Sequence, residues 1–395
     1  MKTDVINEID RISELLIDVS HQIHSHPELN YQEHFAHELL TRVLESTGFS
    51  VTRHAYGLQT AFEATLGSTG PEVLILLEYD ALPGIGHGCG HNIIAAAGLG
   101  AALACARIAA DLSGRLRVLG TPAEEGGGGK IAMARHGAFG SGDAVLMVHP
   151  ADADLISMTA IAVQTLDVTY EGVAAHAAAA PWAGRNALDA AVLGYMNVAA
   201  LRQHIRPTER IHGVFTEAGE KANIVPRRAS ANWYVRSDTL ASLGPLKQRV
   251  SACLEGAAHA CGCTMSTTWD DHPYADVRDN TPLVEAYATN MRSLGRHPLD
   301  PISAQHQVIG STDLGNVSYL LPAIHPMVQV APRGVAIHTE EFARYAASES
   351  GDLGVVDGAK ALAMTAIDVW TSGDLRSRAR SEWELIDPPE VLLGR

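Results

Sequence analysis

The stretch GIGHGCGHN, residues 84–92, sets Cys89 and His91 two positions apart among glycines, directly after an apolar run that ends in Glu78-Tyr-Asp80. A glycine-permissive loop can aim a thiol and an imidazole at one point and let backbone come close to an ion. Three more such groups follow apolar runs. Glu124-Glu125 comes after Arg115–Gly120, His149 after Ala144–Val148, and His338 lies in the loop beyond Ile324–Val330. A thiolate, carboxylates and imidazoles suit zinc, or manganese or cobalt where further oxygens join. From an extended chain, Glu124 and Glu125 point opposite ways. One of them then ligates while its neighbour reaches a metal-bound water, which gives a nucleophile and a general base for amide hydrolysis.

Other readings of these residues fare worse. A dinucleotide fingerprint needs Gly-x-Gly-x-x-Gly, and counted from Gly84 or Gly86 its last glycine falls on Cys89 or His91. A P-loop ending at Lys130 would need glycine where Glu125 stands and Ser or Thr where Ile131 stands. No Cys-x-x-Cys follows a proline, so the zinc-deaminase signature fails as well. A Cys–His nucleophile pair remains as an alternative, but it leaves two carboxylates and three histidines without a task.

The elements that position these groups form an α/β pattern. Val73–Leu77 is continuously apolar, as a strand covered on both faces is. An alanine-rich helix follows from about Asn92 to Asp111, then strands at Arg115–Gly120 and Ala144–Val148. Two amphipathic helices precede them, one with Ile6, Ile9, Ile12, Leu15, Leu16, Val19 and Ile23 at helical spacing, the other from about Tyr31 to Gly48. Open sheets of this kind bind ligands beyond the carboxyl ends of their strands, so four successive strand ends carry metal-competent side chains on one edge. Between about 163 and 273 the texture changes. Half-exposed strands at Ala162–Tyr170, Ile211–Glu217 and Ala229–Arg236 are grouped with helices near Asn186–Arg202 and Leu243–Ala260. The division expected is a catalytic domain of residues 1–162 and 274–395 with an α+β insertion at 163–273.

Composition sets the outer bounds. With 395 residues the chain has length for a large core, and a formal charge of −16 argues against nucleic acid or an anionic membrane as partner. Ile93–Ala106 is the longest apolar run and is short for a membrane span. Five unpatterned cysteines argue against a disulfide framework and for a reducing, cytoplasmic setting.

At this point the sequence resembles a known family. HSHPELNYQE (24–33), EYDALPGIGHGCGHN (78–92), TPAEEGGGGK (121–130), MVHP (147–150), GVAAHAAAAPWAGRNALDA (172–190), ANIVP (222–226), GSTDLGNVS (310–318) and HTEEF (338–342) are similar to stretches of the two-metal amidohydrolases and metallopeptidases. Those include aminoacylases, auxin-conjugate hydrolases, aminobenzoyl-glutamate hydrolases and β-alanyl dipeptidase-like proteins. The resemblance implies a catalytic domain with a mostly parallel sheet and an inserted ferredoxin-like lid and dimerisation domain. It implies that Cys89 bridges two divalent ions (zinc or manganese, with cobalt as a third candidate), with Glu125 and His338 completing one site and His91 and His149 the other. Glu124 would be the general base, Asp80 would orient a ligand, and His176 would stabilise the oxyanion in the partner subunit's site. Asn223 and Arg236 would hold the substrate, a small molecule, and the assembly would be a homodimer or larger homo-oligomer. The expected reaction is cleavage of an amide in an N-acyl amino acid, aminoacyl conjugate or dipeptide through a metal-bridged water. The alternatives are hydrolytic deamination of an aromatic amine at the same site, or a metal-binding homologue without catalysis. Two departures stand out. Glu78 occupies a place where many relatives carry a metal-binding histidine, leaving it as an extra oxygen ligand or a substrate contact, and His87 matches no ligand role.

Overall fold

The computed structural model describes residues 1–109, 111, 113–301 and 309–393. Strand β3 (Glu72–Leu77) is buried at every position. Val73, Ile75 and Leu77 enter one core and Leu74 and Leu76 another. A strand covered on both faces has no polar side, hence the unbroken apolar run. Around it a six-stranded sheet runs in the order β1 (Ser50–Arg53), β2 (Phe62–Leu66), β4 (Arg115–Gly120), β3, β5 (Ala144–Leu146), β13 (Ala323–Ile324). The last four are mutually parallel, while β1 and β2 are antiparallel. From β3 the chain goes to β4 on one side and then to β5 on the other. That reversal opens a crevice beyond the carboxyl end of β3, where α/β sheets take their ligands.

Helices α1 (Lys2–Ser25), α3 (His91–Ala106), α7 (Thr281–Ser293) and α10 (Glu349–Thr371) pack with the first core. Helix α3 is buried from His91 to Cys105, so it needs no polar face. At Gly100 a Cβ would lie 2.5 Å from Leu16 Cδ1 and 3.0 Å from Ala359 Cβ, so glycine lets α1 and α10 close on α3. Helices α4 (Gly129–Arg135) and α8 (Leu314–Ser318) supply Met133, Leu314 and Val317 to the second core. Helices α2 (His34–Ser46), α9 (Glu340–Tyr345) and α11 (Gly373–Trp383) join them. Two short parallel pairs complete this part, β6 (His149–Ala151) with β14 (Met327–Gln329) and β7 (Thr159–Ala160) with β12 (Ile309–Gly310).

The chain divides into two compact units, Met1–Ala160 with Val277–Pro388, and Ile161–Asp276 with the residues from Pro389. The second contains β8 (Ala162–Glu171), α5 (Ala187–Leu201), β9 (Arg210–Glu217), β10 (Arg228–Ser237), α6 (Leu240–Ala260) and β11 (Thr264–Trp269). Its sheet is antiparallel in the order β11-β8-β10-β9. Leu166, Val168, Tyr170, Trp233 and Val235 are buried at alternate positions, and α5 and α6 pack on this sheet. The Asn186 side chain caps α5, and a reciprocal Thr239–Ser242 capping box starts α6.

The boundaries differ from those read in sequence where a strand changes partner. Ala144–Val148 stops as β5 at Leu146, and His149 opens β6 against β14. Ile324–Val330 is likewise two strands, broken at His325-Pro326, because proline has no N–H for the ladder. No helix among the described residues is long and apolar enough to cross a membrane.

Candidate metal centre

The crevice beyond β3 gathers the chemistry. Glu78 and Asp80 follow β3, and both are buried. Gly90, at φ +76°, then turns the loop into α3; a Cβ there would lie 2.6 Å from Pro150 Cγ, so only glycine fits. That turn makes His91 the first residue of α3, one position ahead of the expected start. His91 Nδ1 sits 3.0 Å from Asp80 Oδ1, and Asp80 Oδ2 accepts the Glu125 amide at 2.9 Å. Asp80 therefore orients two of the candidate ligands at once. His149 Nδ1 donates to the Pro150 carbonyl at 2.7 Å, leaving the Nε2 lone pair 3.4 Å from Cys89 Sγ. The His338 amide donates to the Gly88 carbonyl at 2.8 Å, and its Nε2 lies 3.4 Å from Glu125 Oε2.

Three sets of ligand atoms lie within 4.8 Å of one another: Cys89, His91 and His149; Cys89, Glu125 and His338; Glu78, His91 and Glu124. The first two share Cys89. Glu124 and Glu125 stand in a tight turn after Ala123 (φ +58°), not on an extended chain. The expectation of opposed side chains from extended backbone is thus corrected, and a left-handed residue redirects the two carboxylates.

Burial dominates the electrostatics. It raises the carboxyls of Glu124 and Glu125, the first further through Glu78, and it raises the Cys89 thiol. It lowers the imidazole of His149. At His91 burial opposes the charge, but Asp80 prevails and raises the imidazole. His91 Nε2 and Glu125 Oε1 are buried with no hydrogen-bond partner among the described residues. Buried polar atoms seldom stay unpaired, and a divalent cation would satisfy these two from the sets that contain them. Donor types and geometry both fit two such ions.

Three residues escaped the sequence reading. Lys130 Nζ, fully buried, lies 2.6 Å from both Glu78 Oε1 and Asp313 Oδ1. In sequence Lys130 shows only as the lysine of a failed P-loop pattern, and Asp313 stands within GSTDLGNVS with no mark of its own. His325 follows β13 as His149 follows β5, and the two rings stack at 5.5 Å. His87 is buried and donates through Nε2 to the Ile23 carbonyl at 3.1 Å, tying the loop to α1.

The remaining candidates belong to the second unit. His176 is exposed, and its Nδ1 accepts the Ala178 and Ala179 amides at 3.2 and 3.1 Å, so Nε2 carries the proton. The exposed Asn223 adjoins it, its carbonyl accepting the Ala177 amide at 3.0 Å. Arg236 lies half-buried on β10, with its guanidinium 5.7 Å from the centre of the Tyr234 ring.

Comparison with known proteins accords with this geometry. Residues 74–352 match the model of Peptidase family M20/M25/M40. The chain is 40% identical to the Xaa-Arg dipeptidase of Mus musculus, covering 100% of this chain and 94% of that one. It is 28% identical to one of the two chain types of the p-aminobenzoyl-glutamate hydrolase of Escherichia coli, over 93% and 92% of the two sequences. Among solved structures, a dinuclear metal binding peptidase of the M20 family from Bacillus subtilis shares the fold, with a TM-score of 0.70 at 19% identity over 92% of this chain and 100% of that one. By family model and by kinship along its whole length, this chain belongs to peptidase family M20/M25/M40 and is a metal-dependent hydrolase.

Proposed function

We propose that the protein is a two-metal dipeptidase that cleaves the amide of a dipeptide with a basic carboxyl-terminal residue. The observation that carries the hydrolytic site is the pair of ligand sets sharing Cys89, with Glu124 beside them. Support for the substrate is the 40% identity to an Xaa-Arg dipeptidase over the whole chain. Cys89, His91 and His149 would hold one ion and Cys89, Glu125 and His338 the other, zinc or manganese. Such ions supply Lewis-acid polarisation of the scissile carbonyl and a water that is nucleophilic at neutral pH. Glu124 takes the proton of the attacking water as the C–O bond forms, then gives it to the leaving nitrogen as the C–N bond breaks. Burial, with Glu78 beside it, raises the Glu124 carboxyl well above its ordinary value.

The second unit, with its β-α-β-β-α-β order, reads as a ferredoxin-like lid and dimerisation domain. Val192, Leu193 and Met196 on α5, and Val214 and Phe215 on the edge strand β9, are exposed apolar side chains suited to a second copy. His176, with its Nε2–H free to donate, and Asn223 would serve the partner's reaction, and Arg236 would bind a substrate carboxylate. Five free cysteines suit a reducing cytoplasm.

The test is a panel of dipeptides ending in Arg or Lys, N-acyl amino acids and aminobenzoyl-glutamate, with Mn²⁺, Zn²⁺ or Co²⁺ added. Turnover of the basic dipeptides and its loss by a factor of about 10² to 10⁴ in Glu124→Gln is expected. Bound metal with no amide turned over refutes the hydrolytic reading; turnover confined to acyl amino acids refutes the dipeptide. His176→Ala mixed with Glu124→Ala should regain activity in heterodimers, and its failure there would argue for self-contained sites.

A further inference from the structure

The HSHPELNYQE segment has no place in the metal centre, yet it carries a buried acid. Glu33 has no exposed surface. Its Oε1 accepts the Tyr31 amide and the Ala123 amide, both at 2.9 Å, and its Oε2 accepts the Thr60 hydroxyl at 2.7 Å. Both amide donors belong to residues with left-handed backbone, Tyr31 at φ +62° and Ala123 at φ +58°. That conformation costs a non-glycine residue on the order of 1 kcal/mol, so something must hold it. Ala123 immediately precedes Glu124 and Glu125.

The same segment grips the turn from its other end. The Tyr31 hydroxyl donates to the Gly127 carbonyl at 2.5 Å, and the Gly127 amide donates to the Ala123 carbonyl at 3.1 Å. The Thr60 carbonyl in turn accepts the Tyr79 hydroxyl at 2.5 Å, tying this brace to the stretch after β3. Glu28, the other acid of the motif, accepts the Phe35 and Ala36 amides and so starts α2. The two carboxylates therefore have different tasks, one capping a helix and the other facing the turn.

We propose that Glu33 is a positioning residue: its carboxyl holds Ala123 in the left-handed conformation and so aims the Glu124 and Glu125 side chains into the crevice. This rests on Glu124 as the base and Glu125 as a ligand. What the geometry demands is reach. One oxygen must meet two amides while the other meets Thr60, and a primary amide of the same length can do this, with the Thr60 hydroxyl turning to accept. Burial raises the Glu33 carboxyl to about 7 against the lowering by its Thr60 hydrogen bond, and the requirement is the reach to three donors.

The experiment compares Glu33→Gln, which keeps the reach, with Glu33→Asp, which keeps the acid and shortens it by one methylene. Mn²⁺ is titrated calorimetrically into each metal-free protein, and kcat and KM are measured on the best substrate of the panel. Glu33→Gln is expected within threefold of the parent in kcat and in both Mn²⁺ affinities. Glu33→Asp is expected to lose tenfold or more in kcat at nearly constant KM, and at least tenfold in one Mn²⁺ affinity, as lost orienting contacts do. Parent-like behaviour of the Asp variant, or equal damage in both variants, overturns the assignment. In the parent protein itself the Ala123 amide should be strongly protected from hydrogen exchange. Free exchange there refutes the brace even if a variant does not fold. Glu124→Gln run alongside separates the two readings: if it keeps full turnover the base assignment falls, and the Mn²⁺ isotherms still decide Glu33 through Glu125 on the same turn.

Discussion

Replacing Lys130 by methionine keeps most of the side chain's volume and removes one ammonium from the interior. In the folded protein that ammonium lies 2.6 Å from Glu78 Oε1 and 2.6 Å from Asp313 Oδ1, and its backbone amide also donates to Asp313 Oδ2 at 2.8 Å. All three side chains are inaccessible to solvent. Breaking a buried pair while leaving its charge behind costs about 3–5 kcal/mol, against a total stability of about 5–15 kcal/mol. For a unit of this size each kcal/mol moves Tm by about 2–4 °C, so a fall of about 6–20 °C is expected. Urea unfolding and calorimetry of the metal-free protein at pH 8 measure it without ligand linkage. The penalty should shrink near pH 5, because burial already raises the Asp313 carboxyl to about 6 and protonation removes one stranded charge. Adding Glu78→Gln and Asp313→Asn to Lys130→Met should recover most of the loss, since a neutral set leaves no buried charge. A single Lys130→Met variant within about 1 kcal/mol of the parent at pH 8 would refute the reasoning.

The Asn92 amide donates to Ser20 Oγ at 2.8 Å and to the Ala346 carbonyl at 2.9 Å. Asn92→Asp sets a carboxylate against that carbonyl and should cost about 1–3 kcal/mol in urea unfolding; an unchanged midpoint counts against it. Burial lowers His37 from 6.5 to about 4, so the folded state binds fewer protons than the unfolded chain between those values. The stability His37 contributes is present above pH 6.5 and is lost as pH falls through about 4. It amounts to about 3 kcal/mol, and His37→Phe should flatten that part of the stability–pH curve. Chelation should lower Tm reversibly, with Mn²⁺ or Zn²⁺ at about 100 times its Kd restoring about 2.7 kcal/mol; a Tm indifferent to both would deny the centre its ions.

Much of this arrangement was written in local pattern. The unbroken Val73–Leu77 run announces a two-faced strand, and the acids and histidines after successive apolar runs announce one sheet edge. Cys89, His91, Glu125, His149 and His338 converge because that edge is shared, although 249 positions separate the first from the last. What stayed hidden depends on contacts with no sequence period. Nothing in Gly126–Lys130 says that its lysine reaches Glu78 and Asp313 across the sheet edge. Nothing in Tyr31 or Ala123 shows a left-handed backbone, because neither residue type advertises one as glycine does. The strand ends were misread where partners change, at His149 and at His325-Pro326, since a run of apolar residues does not record which neighbour it pairs with.

Glu78 shows how a buried acid beside the candidate ligands is balanced. Glu78 has no exposed surface, and a buried carboxylate without a counter-charge is costly. Lys130 supplies that charge at 2.6 Å on Oε1, while Oε2 stands 3.6 Å from His91 Nε2. Oε2 is buried with no hydrogen-bond partner among the described residues and stays open to a cation. Asp313 is the further consequence, for an ammonium facing two acids leaves the triad with one net negative charge beside the candidate ligands. A change at one of the three therefore leaves a buried charge unmatched. A Glu78→His variant should need Lys130→Met and Asp313→Asn with it before its metal affinity matches the parent, and parent-like affinity of Glu78→His alone would show that the triad is separable from the metal centre.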